Sequence, residues 1–258
     1  VEKPLQGRRI LVTRPSAQAA GWCRRLHSAG AEADCIPMLD IVPITDDSGC
    51  QAIKQRILDF DQIDHAIFVS RNAVRFGFEW LDAYWPQLPM GTRFYAIGAA
   101  TAAALEEAGV QCQSGGESMD SEALLALPAL QDLREQKALI FRGRGGRPLI
   151  GETLRERGAR VDYCELYDRS LPDTAISQLA AYQHQPDAIA VHSGETLQNL
   201  AHCIDACSRD ALRRALLVCP SARVAAQGRE LGFAHVVAAT NAGDDAMFEA
   251  LRRSLQGQ

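Results

Sequence analysis

CELYDRSLPD, residues 164–173, is the stretch on which the reading of the fold turns. It follows ARVDYC, an apolar strand-like run, and continues it into an extended segment that ends at a Pro. A second stretch of the same character, CIPMLDIVPITDDSG (35–49), follows another strand-like run, AEADCI. Both are extended, and both carry Pro and turn formers, as segments that cross between domains do.

The rest of the chain gives those two crossings their meaning. Strand-like runs (RILVT, AEADCI, HAIFVS, RFYAIG, VQCQ, KALIFR, ARVDYC, DAIAVH, ALLVCP, AHVVAA) alternate with amphipathic helix-like segments. Several of the helices close on a Gly of the kind expected just past a helix end, at Gly30, Gly109, Gly158 and Gly232. Alternation of this kind implies parallel sheets covered on both faces. The chain also repeats itself. LVTR (11–14) and LIFR (139–142) lie 128 positions apart, as do Gly30 and Gly158, and Asp34 and Asp162. YAIGAATAAALEEAG (95–109) and VCPSARVAAQGRELG (218–232) align 123 apart, a spacing that Ser70 and Ser193 share.

Each crossing follows the second strand of its copy. This predicts an exchange of halves rather than a simple tandem. One domain takes residues 1–37 with 173–258, the other takes 45–164, and 38–44 and 165–172 form linker strands between them. A tandem cut near LQDLREQK (130–137) is disfavoured, because that stretch reads as helix and has no Pro or Gly. The fold class is therefore α/β: two doubly wound parallel-sheet domains from an internal duplication, each with five strands, the size of a flavodoxin-like unit. Tyr167 falls in the second crossing, at the expected mouth of a cleft.

Bulk properties exclude several classes. Charged residues make up 23% of the 258 and the net charge is −5, which argues against a general nucleic-acid or membrane surface. No apolar run approaches the ~20 residues of a membrane span, and VEKPLQGRRI has no apolar signal core, so a cytoplasmic, reduced protein is expected. His202, Cys203 and Cys207 share one helical stretch, but no second ligand pair completes a metal site, and burial of that face is the better reading.

Ligands of open parallel sheets bind where strands end and helices begin. Those edges carry Thr13, Arg14 and Ser16 in VTRPS, Ser70, Arg71 and Asn72 in FVSRNA, and Gly98 and Thr101 in IGAAT. They also carry Arg142, Arg144 and Arg147 in FRGRGGR, Ser193 and Thr196 in VHSGET, and Ser221 in CPSAR. The hydroxyls suit helix N-caps, and a cap can also donate to an anion. RGRGGRPLIG matches neither nucleotide-loop pattern: no Lys-Ser or Lys-Thr follows, and Pro148 stands where a third Gly belongs. Three Arg beside flexible Gly suit carboxylates. No G-x-S-x-G, H-E-x-x-H or Cys with a partner His is present. The site therefore belongs to a reaction needing little acid–base chemistry, or to a two-domain binding protein for an anionic small molecule.

The ordered set ILVTRP, FVSRNAV, YAIGAATAAAL, SEALL, FRGRGGR, CELYDR and VHSGETLQNL resembles the uroporphyrinogen-III synthase family over nearly the whole chain. The resemblance implies two flavodoxin-like domains joined by a two-stranded linker. It implies a linear tetrapyrrole substrate, hydroxymethylbilane, closed to uroporphyrinogen III with one ring inverted and water lost. It implies no cofactor and no metal, a monomer, and transient contact with the preceding enzyme of the pathway. The family's Tyr, the candidate for helping hydroxide leave, falls on Tyr167. Its binding hydroxyls fall on Ser70, Thr101 and Ser193. One departure stands out: where relatives keep a Gly-and-Thr turn in the second copy, this chain has CPSARVA, and Ser221 is the hydroxyl available there.

Overall fold

The computed structural model describes residues 3–114 and 120–256. The chain divides into two compact units, Val1–Asp40 with Ser170–Gln258, and Ile41–Arg169. In chain order the first unit supplies β1 (Arg9–Val12), α1 (Ser16–Ser28) and β2 (Glu32–Cys35). The second follows with β3 (Asp40–Pro43), α2 (Asp47–Leu58), β4 (His65–Phe68), α3 (Arg71–Tyr84), β5 (Arg93–Ala96), α4 (Ala99–Glu107) and β6 (Cys112–Ser114). It continues with α5 (Ser121–Leu125), β7 (Lys137–Gly143), α6 (Leu149–Glu156) and β8 (Arg160–Ser170). The first unit resumes with α7 (Ala175–Ala181), β9 (Ala188–Ala190), α8 (Gly194–Ala206), β10 (Leu216–Cys219), α9 (Ala222–Glu230), β11 (His235–Ala238) and α10 (Asp244–Gln256). Among the described residues no helix is long and apolar enough to cross a membrane.

The first unit has a sheet of order β11-β10-β9-β1-β2, in which β1 pairs in parallel with β9, with Val12 opposite Ala190. Its central strands β1, β9 and β10 are apolar on both faces because both are covered, whereas the edge strands β2 and β11 are partly exposed. Ile10 and Val12 pack with Trp22 and Leu26 of α1 and Met247 and Leu251 of α10. Leu11 and Ile189 face Leu179 of α7, Leu197 and Leu200 of α8 and Val224 of α9. Cys203 is buried in that second layer, as a small apolar side chain.

The second unit has the order β3-β8-β7-β4-β5-β6. Ala66, Phe68, Leu139 and Phe141 face Ile53 of α2, Val74, Phe78 and Leu81 of α3 and Leu105 of α4. Ile67, Ala138 and Ile140 face Leu124 of α5 and Ile150 and Leu154 of α6. The rings of Phe68 and Phe141 stack at 4.3 Å on neighbouring strands.

Two expectations need correction. The sheet has six strands, not five, because the linker strand expected at 38–44 joins it as β3. Residues 165–170 are the second half of β8, and β3 runs beside it, with the Ile44 N–H donating to the Leu166 carbonyl at 3.0 Å. An extended segment beside an open strand edge satisfies its backbone there. Nor is 130–137 helical. Leu130 closes a short 3-10 turn, Leu133 inserts fully into the core, and Glu135 adopts φ 63°. Leu130 and Leu133 anchor a turn, and the left-handed residue stops any helix. Residues 41–169 are expected to fold when expressed alone and to unfold cooperatively. An unstructured 41–169 beside a folded 1–130 would point instead to a simple tandem.

Candidate functional site

In each sheet the strand order reverses at one point, and there the neighbouring loops diverge to opposite faces. In the second unit that point lies between β4, whose helix α3 covers one face, and β7, which leads into α6 on the other. Ser70 follows β4. It is the N-cap of α3, extended at φ −164°, and its Oγ accepts the Ala73 N–H at 3.0 Å. The same oxygen lies 2.8 Å from the phenol oxygen of Tyr167.

Tyr167 reaches Ser70 because of two local irregularities. The first is a register shift between β7 and β8: Arg142 is opposite Glu165, yet Gly143 is opposite Tyr167. Without it, Tyr167 would alternate away from Leu166 and join Arg142 and Tyr163 on the other face. With the extra residue, Leu166 and Tyr167 both enter the core shared with α3. The second irregularity is Gly143 itself. The Tyr167 ring crosses from β8 over β7 toward β4, and a Cβ on Gly143 would come 2.5 Å from it. Phe76 packs on the ring at 5.7 Å, and Tyr167 is only 4% exposed. Tyr167 is thus a core residue of the second unit whose hydroxyl meets the N-cap of α3, not a solvated linker residue. Gly143→Ala is expected to push the ring off Ser70. The strain should cost about 1–3 kcal/mol, and turnover should fall with the loss of the hydroxyl pair. A variant with wild-type turnover and stability would show that the ring does not need this passage.

The Gly-rich loop is built from within. Arg142 is 8% exposed, and its guanidinium donates to the carbonyls of Gly146 at 3.0 Å and Arg147 at 3.3 Å. It meets Glu165 at 3.3 Å and lies 4.2 Å over the Tyr163 ring. These contacts favour a scaffolding role for Arg142 over the expected substrate contact, with the guanidinium Nε buried and unpartnered. Arg142→Ala is expected to lower stability by about 2 kcal/mol and leave KM nearly unchanged. Arg142→Lys should not restore it, because an ammonium cannot reproduce the fork. A raised KM with an unchanged thermal midpoint would restore the direct-contact reading. Arg144, half-exposed, bridges Asp168 at 3.1 Å and Asp46 at 3.2 Å, and its N–H donates to the Tyr167 carbonyl. Asp46, the N-cap of α2, is held at a pKa of about 2 by the Ser48 hydroxyl, the Gly49 N–H and Arg144. Arg147 is exposed.

The remaining residues of this unit line the same sheet edge. Arg71 is exposed and Asn72 half-buried on the first turn of α3. Gly98 precedes α4 at φ 87°, a conformation that favours Gly, and no side chain caps that helix. Thr101 is buried one turn on.

In the first unit the reversal falls between β1 and β9. Thr13 is wholly buried and donates to the Ala190 carbonyl at 2.8 Å, joining the two strands, so its proton is committed there. Arg14 pairs with Asp244 at 2.6 Å, and its Nε is buried without a partner. Ser193 caps α8 through the Thr196 N–H, and the two hydroxyls lie 2.8 Å apart. Ser221 caps α9 at φ −162°, where the other copy has Gly98 at φ 87°. The altered turn therefore replaces a Gly-only conformation with an ordinary capped one. Ser16 is the first residue of α1, not its cap.

His192 and Gly143 escape a reading of the sequence. His192 precedes Ser193, edge-on to Trp22 at 5.6 Å, with both ring nitrogens enclosed and unpartnered. Nothing in a lone His distinguishes that state. Gly143 carries a signal, as the first Gly of FRGRGGR, but in sequence that signal points to a failed nucleotide loop.

The family model described as "Uroporphyrinogen-III synthase HemD" matches residues 21–249. The chain is 35% identical to uroporphyrinogen-III synthase of Salmonella typhimurium over 247 residues, covering 94% of this chain and 99% of that one. It is 35% identical to the enzyme of the same name from Escherichia coli over 250 residues, with the same coverage. The fold is similar to a mutant uroporphyrinogen III synthase from Thermus thermophilus (TM-score 0.66, 21% identity, 98% of this chain and 100% of that one). It is also similar to the Helicobacter pylori synthetase (TM-score 0.61, 16% identity, 96% and 99%). The family match, the extent of the sequence relatives and the shared two-unit α/β fold agree: the chain belongs to the uroporphyrinogen-III synthase family.

Proposed function

We propose that this enzyme closes hydroxymethylbilane, a linear tetrapyrrole, to uroporphyrinogen III, inverting the last ring and releasing water, so that it acts as a ring-closing hydro-lyase. The observation that carries the reading is the Tyr167–Ser70 hydroxyl pair, 2.8 Å apart at the strand-order reversal of the second unit. The terminal hydroxymethyl group sits on an electron-rich pyrrole, whose lone pair expels the oxygen once a proton is offered. A phenol is ordinarily protonated at neutral pH and can offer one. Such help is typically worth about 10²–10⁴-fold.

The cationic fragment is then attacked by the already substituted carbon of the far ring. The spiro intermediate breaks and recloses with that ring reversed. The ring proton lost at reclosure balances the one donated. Because unassisted closure gives the unrearranged isomer, the main task is to hold the two chain ends in one geometry. In this reading the candidate substrate contacts are Arg71, Asn72, Gly98 and Thr101 at the sheet edge of the second unit, with Arg14, Ser193 and Ser221 the candidates at the sheet edge of the first. The reaction has no redox change and calls for no electron-carrying cofactor. The test is incubation with hydroxymethylbilane and separation of product isomers. Isomer III in excess over the spontaneous isomer I is expected, and isomer I alone would overturn the reading.

A further inference from the structure

We infer that Ser70, not Tyr167, is the group that touches the leaving oxygen, and that Tyr167 acts through it as a positioning residue and proton source. The inference rests on the reaction proposed above and assigns the order of its proton donors. Tyr167 is 4% exposed, enclosed by Phe76 and by the backbone of Gly143, whereas Ser70 is only half-buried. Of the two residues the serine is the more exposed.

Hydrogen-bond capacity points the same way. A Ser oxygen has two lone pairs and one proton. One lone pair takes the Ala73 N–H at 3.0 Å. A phenol is a stronger acid than an aliphatic alcohol, so the better arrangement has Tyr167 donating to Ser70 across the 2.8 Å contact. Both lone pairs are then filled, and the only thing Ser70 has left to offer is its own proton, directed outward. The bond from Tyr167 raises the acidity of that proton, and the α3 N-terminus favours the negative charge that develops as it leaves.

In the proton-transfer step the carbon–oxygen bond of the hydroxymethyl group breaks with its electron pair on oxygen, and the pyrrole nitrogen lone pair forms the new double bond. The departing oxygen takes the Ser70 proton and becomes water. Ser70 takes the Tyr167 proton, leaving a phenolate paired with the substrate cation. The proton released at ring reclosure returns to Tyr167 by the same path.

The experiment compares single-turnover rates of wild type, Ser70→Gly, Ser70→Thr, Tyr167→Phe and the Ser70→Gly/Tyr167→Phe double variant, with isomer analysis. Gly is nearly as good an N-cap as Ser, so Ser70→Gly removes the hydroxyl while keeping the helix start; it also leaves the Tyr167 hydroxyl without its partner, so the thermal midpoint is read beside the rate. It should lower the rate roughly 10²-fold, as much as Tyr167→Phe does, and the double variant should be no slower than the slower single one. Ser70→Thr keeps a hydroxyl and should retain most of the rate. In mixed light and heavy water the wild-type rate should fall along a curve, since two protons move. Near-normal rate in Ser70→Gly, multiplying losses in the double variant, or a straight-line isotope response would each overturn the relay. Failure of the reaction itself would look different, because wild type would then yield isomer I alone.

Discussion

Tyr167→Phe is expected to lower turnover by roughly 10²-fold or more while costing only about 1 kcal/mol of stability. The ring fills the space between Phe76 and Gly143, and Phe fills it equally, so core packing survives. The cap of α3 also survives, because Ser70 keeps its bond to the Ala73 N–H. What disappears is one hydrogen bond and the proton it carries. Residual activity should remain, since orientation of the chain ends and pyrrole electrons drive the reaction without the phenol. Product should stay largely isomer III, because the ring-holding contacts are untouched. Measuring kcat, product ratio and the thermal midpoint together separates the outcomes. Full turnover would reduce Tyr167 to a packing side chain. Joint loss of stability and activity would make its hydroxyl a structural bond.

That residue also marks how far a sequence can be read. The extended character of CELYDRSLPD and its counterpart at 35–49 is visible from Pro, turn formers and the repeat, because periodicity and punctuation are local properties. The pairing of β1 with β9 can be reasoned from those crossings. β3 is legible as a linker strand but not as a member of the sheet, because a strand at a sheet edge looks, in sequence, like any extended segment. The Ser caps at Ser70, Ser193 and Ser221 are legible, since a cap is set by its own turn. The role of Arg142 is not. Its partners are carbonyls four and five residues on, and no residue type advertises a carbonyl. The aim of Tyr167 is hidden for a related reason. It depends on a one-residue slip between two strands and on an absent Cβ on the strand that its ring must cross.

The first unit is expected to lose stability between pH 6.5 and 5, earlier than carboxylate chemistry alone would cause. His192 is the reason. Both its ring nitrogens are buried with no partner, and this burial, with Arg14 adding repulsion, pushes its pKa down to about 3. In the unfolded chain a His takes a proton near pH 6.5. Below that value the unfolded state binds a proton that the folded state refuses, so stability falls as the pH falls, by about 1.4 kcal/mol per pH unit. The loss runs from 6.5 toward 3. The carboxylates of the same unit held low by their partners, Asp34 beside Arg9 and Tyr182, and Glu249 beside Arg252 and Arg253 at about 2, contribute with the same sign. Their contribution begins only near the ordinary carboxylate pKa of about 4, so the interval from 6.5 to 5 isolates the imidazole. Native-state hydrogen exchange of β1, β9 and β10 amides reads the opening free energy of this unit separately from the other. Wild type should lose about 2 kcal/mol across that interval, and His192→Leu should lose almost none, while β4 and β7 amides of the second unit should not distinguish the two proteins. The same slope in His192→Leu would show that the proton goes elsewhere. A flat wild-type profile would mean that the buried ring accepts its proton without resistance, through water reaching the enclosed nitrogens.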